Sequence, residues 1–264
     1  MKPKIYTLLS TVVVCLVVVS PMILATQGLA SDRIPSAIGL ALGSGGAAGL
    51  SHIAMLEVFD ETGLKPHKIA GSSIGAIIGS LYASGLSGKE IKNVFRTFSG
   101  DMITTFMNLV KGESGLSLGD LMQVDLENGG LLDSEDLMAF LIEKMGVQTF
   151  EELKIPLMVI ATDYRTGEER IFDKGDLAPA LKASMAVPGL FSPEPVGGSV
   201  FIDGGVSNPL PYDVLTDSCD IVVAIDVAGP GKRRPDEEIN STDVLFDTFG
   251  IMQRSITAAK MKYT

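Results

Sequence analysis

Short apolar runs, each closing on glycine or a small-residue turn, constrain this chain more than any other feature. From Ala37 they read "AIGLAL", then "KIAG" near residue 69, "PLMVIATD" at 156–163, "SVFIDGG" near 200 and "DIVVAIDV" at 220–227. Runs with so little polar alternation suit strands buried on both faces. Between the first two lies "SHIAMLEVFDETG", with apolar residues at helical spacing and Gly63 as a stop signal. Strand, loop, helix and strand in this succession predict an α/β fold, with a mostly parallel central sheet and helices on both faces. At 264 residues and 46% hydrophobic composition, there is apolar material for one large domain.

Residues 1–30 stand outside that rhythm. Lys2 and Lys4 precede an apolar run from Ile5 to Val19, Pro21 interrupts it, and "GLA" at 28–30 offers a small-x-small cleavage site before Ser31. This reads as a signal peptide whose removal leaves a domain of residues 31–264. The alternative is a retained membrane anchor over residues 5–24, near the length that crosses a bilayer. With the lysines held inside, either reading places the domain outside the cytosol, periplasmic or secreted. Without the leader only Cys219 remains of the two cysteines, so no intramolecular disulfide can form. A formal charge of −11, and no basic cluster larger than "KRR" at 232–234, argue against a nucleic-acid partner.

The stretch 99–133 carries no clear strand and mixes Met102, Met107 and Met122 with glycine-rich "KGESGLSLGD". It reads either as a helical insertion packed on the core or as an excursion over the sheet that controls access to a site. The last segment, "DVLFDTFGIMQRSITAAKMKYT", reads as an amphipathic helix with no stop signal.

A chemical signal lies in Gly71-Ser72-Ser73-Ile74-Gly75, a Gly-x-Ser-x-Gly pattern on a strand-to-helix turn. Such a turn projects the central hydroxyl at a helix N-terminus, although glycine and serine also build ordinary turns. A serine nucleophile needs a base. The two histidines, His52 and His67, both precede Ser73, so the hydrolase order of serine, acid and histidine cannot be built. We read both histidines as structural. A carboxylate acting directly is the remaining candidate, and Asp203, ending an apolar strand before Gly204 and Gly205, is the best placed; a plain strand-end turn is the other reading. The loop "GSGGAAG" at 43–49 can aim backbone N–H groups at an anion, either a phosphate or an oxyanion. Its loose fit to a dinucleotide fingerprint lacks the acid that should end the second strand. The two histidines have no further His/Cys cluster beside them, which gives little support to a metal site.

Together "GSGGAAGLSH", "GSSIG" and "DGG", in this order, resemble the patatin-like phospholipases (patatin-like lipid acyl hydrolases). The similarity extends over "IPLMVIATDYRTG" and "KASMAVPGLFSPEPV", from about residue 38 to about 227. The resemblance implies a three-layer architecture and a serine hydrolase acting on lipid esters, a phospholipase or lysophospholipase at a membrane or micelle surface, without cofactor. It also implies a Ser73–Asp203 dyad, an oxyanion hole at Gly45 and Gly46, and motif glycines Gly71, Gly75, Gly204 and Gly205. Two departures stand out: Ser44 occupies a usual glycine position, and Ala48 the place of a usual Arg or Lys. Losing that cation leaves the loop with backbone dipoles alone. A non-catalytic, membrane-associated lipid-binding or scaffold protein of the same fold is the alternative function.

Overall fold

The computed structural model describes residues 37–97, 134–228 and 241–263, together with the backbone of 6–10 and 13–19. Its strands are β1 (Tyr6–Ser10), β2 (Val13–Val19), β3 (Ile38–Leu42), β4 (Lys68–Ser72), β5 (Leu157–Asp163), β6 (Glu169–Phe172), β7 (Glu194–Val196), β8 (Ser199–Asp203) and β9 (Ile221–Asp226). The helices are α1 (Ser51–Thr62), α2 (Ile74–Ala83), α3 (Gly88–Thr97), α4 (Glu135–Met145), α5 (Leu177–Met185) and α6 (Ser241–Tyr263). All five apolar runs are strands, and the expected helices after the first run and near the end of the sequence are α1 and α6. Gly63 caps α1 in the left-handed region at φ 70°.

The strands form one sheet in the order β1-β2-β9-β3-β4-β5-β8-β7, with β6 also paired to β5. Its centre, β9-β3-β4-β5, is parallel, and both flanks are antiparallel. The central strands need cover on both faces, and their side chains divide accordingly. Leu40, Leu42 and Ile69 join Leu56 of α1, Ile78 of α2 and Leu181 of α5 in the main core. Ala41 sits in register with Ala70 on one side and Ala224 on the other. This small-residue row faces Leu210, Tyr212 and Leu215, and Met261 of α6 packs against that second cluster. The fold is therefore the expected α/β arrangement, a central sheet flanked by helices. Each fully buried leucine or isoleucine contributes about 1.5–3 kcal/mol, and all ten residues of α2 are buried.

Of the expected leader, β1 and β2 are described: they pair with each other, and β2 pairs antiparallel with β9. Among the described residues no helix is long and apolar enough to cross a membrane. The access segment expected at 99–133 lies outside the described residues.

Candidate active site

Ser73 connects β4 to α2 at φ 56° and ψ −125°, and among the described residues it is the non-glycine with positive φ. A non-glycine backbone held there stores strain of order 1–3 kcal/mol, sustained when its surroundings leave no alternative. Its neighbours supply that constraint. A Cβ on Gly71 would stand 2.6 Å from the backbone N of Ala76 and from the carbonyl O of Gly75. A Cβ on Gly75 would collide with the Leu42 carbonyl. Both motif glycines are thus required by close backbone approach. The Ser73 N–H donates to the Ser184 hydroxyl of α5 at 2.9 Å, and the Ser73 side chain emerges at the α2 N-terminus, 7% exposed.

Asp203 closes β8 and is fully buried. Its Oδ1 accepts from the Gly205 N–H at 2.7 Å, and its carbonyl accepts from the Thr162 hydroxyl at 2.9 Å. Burial pushes the carboxyl up to about 7, opposed by the Ser73 hydroxyl and the Gly205 N–H. Ser73 and Asp203 are therefore brought together. Their contact falls short of a formed hydrogen bond, because among the described residues Oδ2 has no partner at bonding geometry. Gly204 and Gly205 are again demanded by space. A Cβ on Gly204 would strike the Ile160 carbonyl and lie 2.7 Å from Ser72 Oγ, while one on Gly205 would strike Gln253 of α6.

In the glycine loop, the amides of Gly43, Ser44 and Ala48 donate to the carbonyls of Ile225, Pro209 and Gly45. Gly45 and Gly46 make no such backbone bond among the described residues. Both line a cavity with Ser73. Gly46 needs its flexibility, with φ 53° at the start of a 3₁₀ turn. His52 is fully buried, and its Nε2–H donates to the Gly43 carbonyl at 2.8 Å. Burial pulls its pKa down to about 4. It is a neutral prop of the loop, and His67 is exposed on the surface.

Two cavities meet at Ser73. The first is apolar, lined by Leu50, Ile77, Phe95, Leu137, Leu141 and Phe191 among others. The second is more polar and is lined by Gly45, Gly46, Ala48, Asp247, Gln253 and Arg254 among others. Sequence reasoning missed Ser184, Thr162, Gln253 and Arg254. The first two lay inside segments already singled out, "KASMAVPG" and "MVIATD", where a buried hydroxyl has no pattern of its own. The last two sit on a helix with no visible chemical motif.

The family model described as patatin-like phospholipase matches residues 40–216, which include Ser73 and Asp203. An uncharacterized NTE family protein of Mycobacterium bovis is 30% identical over 241 residues, covering 86% of this chain and 61% of that protein. The chain thus spans about three fifths of the length of the first such relatives. Neuropathy target esterase sws of Drosophila melanogaster is 29% identical over 195 residues, 73% of this chain and 13% of that protein. Among solved structures, VipD from Legionella pneumophila covers 80% of this chain and 50% of its own, at 15% identity and a TM-score of 0.43. The ExoU–SpcU complex of Pseudomonas aeruginosa covers 72% of this chain and 41% of the matched one, at 17% identity and a TM-score of 0.42.

Proposed function

Since the chain belongs to the patatin-like phospholipase family, we propose that it is a serine lipid acyl hydrolase working through a Ser73–Asp203 dyad. The observation that carries this reading is the strained Ser73 elbow, opening on an apolar cavity and backed by a buried carboxylate whose Oδ2 is unpartnered among the described residues. Ser73 Oγ attacks the ester carbonyl carbon while Asp203 takes its proton. The carbonyl oxygen becomes an oxyanion facing the Gly45 and Gly46 amides. Collapse of the intermediate breaks the ester bond, and the proton passes from Asp203 to the departing alcohol. Water then repeats the sequence on the acyl-serine, releasing the fatty acid and restoring the serine.

A fluorophosphonate probe tests the reading, because it labels an activated serine and spares an inert one. Labelling and ester turnover should both vanish in Ser73→Ala and persist in Ser72→Ala. Among the described residues the buried Ser72 hydroxyl has no partner, so its removal leaves none of them unpaired. Wild-type protein that neither labels nor turns over esters, yet binds lipid vesicles, would favour the non-catalytic alternative.

We also propose that the domain is exported and meets its substrate at a membrane or micelle surface, on the strength of the lysine-flanked apolar run before "GLA" at 28–30. Cleavage there would remove β2 and leave β9 an exposed edge strand. N-terminal sequencing of the protein recovered from cells tests processing: a start at Ser31 supports it, and a start at Met1 overturns it, with membrane fractionation then separating an anchor from the β1–β2 pairing in the sheet.

A further inference from the structure

We propose that Arg254 is the substrate-binding cation of this site and holds the phosphate of a lipid headgroup whose ester carbonyl lies at Ser73. The inference rests on the hydrolase reading above and adds to it a ligand and a residue. Ala48 is exposed at the polar cavity and brings no charge to the loop. Arg254 lines the same cavity, and it is the cation among the residues that do. It comes from α6, beyond the segment 40–216 that matches the family model.

α6 is seated where this role needs it. Gln253 and Thr257 are buried, Met261 packs on the second core cluster, and Lys260 pairs with Asp213 at 2.7 Å. Gln253 rests directly against Gly205, two residues past Asp203. Gln253 and Arg254 both line the polar cavity that Ser73 also lines. Arg254 is half-buried, yet its guanidinium makes no salt bridge among the described residues. Burial raises the Asp226 carboxyl at the end of β9, and the Arg254 charge works against that rise.

The chemistry of the ligand follows from the two cavities. An acyl chain bound in the apolar one places its ester carbonyl at Ser73, so the alcohol portion must project into the polar one. A guanidinium presents a fork of N–H donors that matches a phosphate, and a partly desolvated fork gains most from a charged acceptor. Asp247 also lines this cavity. An anion there has one cation to find and one carboxylate to avoid, which favours a single phosphate seated at Arg254 over a diffuse anionic surface.

Matched soluble esters supply the test: dibutyryl phosphatidate, which carries the phosphate, and dibutyrylglycerol, which does not. In Arg254→Gln the ratio of kcat/KM for phosphatidate over dibutyrylglycerol should fall about 10- to 100-fold. Arg254→Lys, which keeps the charge without the fork, should fall in between. Ala48→Arg placed in the Arg254→Gln background should recover part of the ratio. An unchanged ratio in Arg254→Gln, or losses shared equally by both esters, overturns the proposal. Binding measured calorimetrically on Ser73→Ala separates this inference from the hydrolase reading. Phosphatidate should bind about tenfold more weakly once Arg254→Gln is added, even if wild-type protein turned over neither ester and the hydrolase reading failed. Inorganic phosphate binding as tightly as phosphatidate would reassign the cation to free phosphate and overturn the lipid headgroup.

Discussion

The backbone N–H of Ser73 donates to the Ser184 hydroxyl at 2.9 Å across 111 residues of sequence, tying the strained elbow to α5. Ser184 is fully buried, so the Ser73 amide has no water to replace it. Ser184→Ala should therefore leave a buried donor unpaired and cost about 1–3 kcal/mol of stability, read from urea unfolding. Because the orphaned amide belongs to the proposed nucleophile, kcat should fall more than KM rises. A stability loss with kcat intact would show that α5 supports the fold without setting the elbow.

Asp203 makes the pH dependence specific. Its carboxyl is raised to about 7 by burial, and a base must be ionised to act, so kcat/KM on a neutral soluble ester should fall tenfold per pH unit below that point. The stability effect has the opposite sense. Between about pH 4, where an unfolded aspartate titrates, and pH 7, the folded state holds a proton that the unfolded state has lost. This group's contribution to stability thus declines as pH rises and is fully lost above the folded value. Asp203→Asn should remove that decline, gaining on wild type by on the order of a few kcal/mol at pH 8 relative to pH 5, while losing turnover. An activity profile flat from pH 5 to 8 would exclude Asp203 as the titrating base.

His52 tests the same assignment from the other side. Held neutral by burial, with its Nε2–H on the Gly43 carbonyl, it supports the loop and faces no proton donor that needs it. The variant carrying His52→Gln and His67→Gln should keep kcat within about tenfold of wild type, with some loss of stability from the imperfect prop. A folded double variant slower by about 10²- to 10⁴-fold, the range expected of a general base, would return the mechanism to histidine.

The parts legible in the sequence share one property: the constraint on each is local. Gly71 and Gly75 are required by backbone atoms within a few residues or on the neighbouring strand, and a turn that tight leaves a pattern of small residues. The same holds for Gly204 after Asp203, and for apolar runs that must be buried on both faces. Ser184 and Arg254 are different: Ser184 meets the elbow across 111 residues of sequence, and Arg254 is carried by a helix seated through Gln253 on Gly205 and Lys260 on Asp213. A serine within "KASMAV" and an arginine on an amphipathic helix look ordinary until the sheet brings α5 and α6 to the elbow. The antiparallel flanks were hidden for a related reason: β7 is only three residues long, too short to carry a periodicity of its own.

The apolar cavity yields the last prediction. Its walls come from the loop through Leu50, from α2 through Ile77, from α3 through Phe95 and from α4 through Leu137 and Leu141, with Ser73 also in the lining. A fatty chain entering from Ser73 must therefore run between α2 and the α3–α4 wall, and each buried methylene gains about 0.8 kcal/mol. Leu50 and Phe95 are only partly buried, so changes there alter the cavity with less strain than changes at Leu141. Leu50→Phe narrows the path close to Ser73 and should lower the octanoate-to-butyrate ratio of kcat/KM by about tenfold, the equivalent of one or two lost methylene contacts. Phe95→Ala opens the far wall and should move the preferred chain length upward. Chain-length profiles on soluble esters measure both, with circular dichroism to confirm the fold. Parallel losses at every chain length in both variants would mean that the acyl chain takes another route from Ser73.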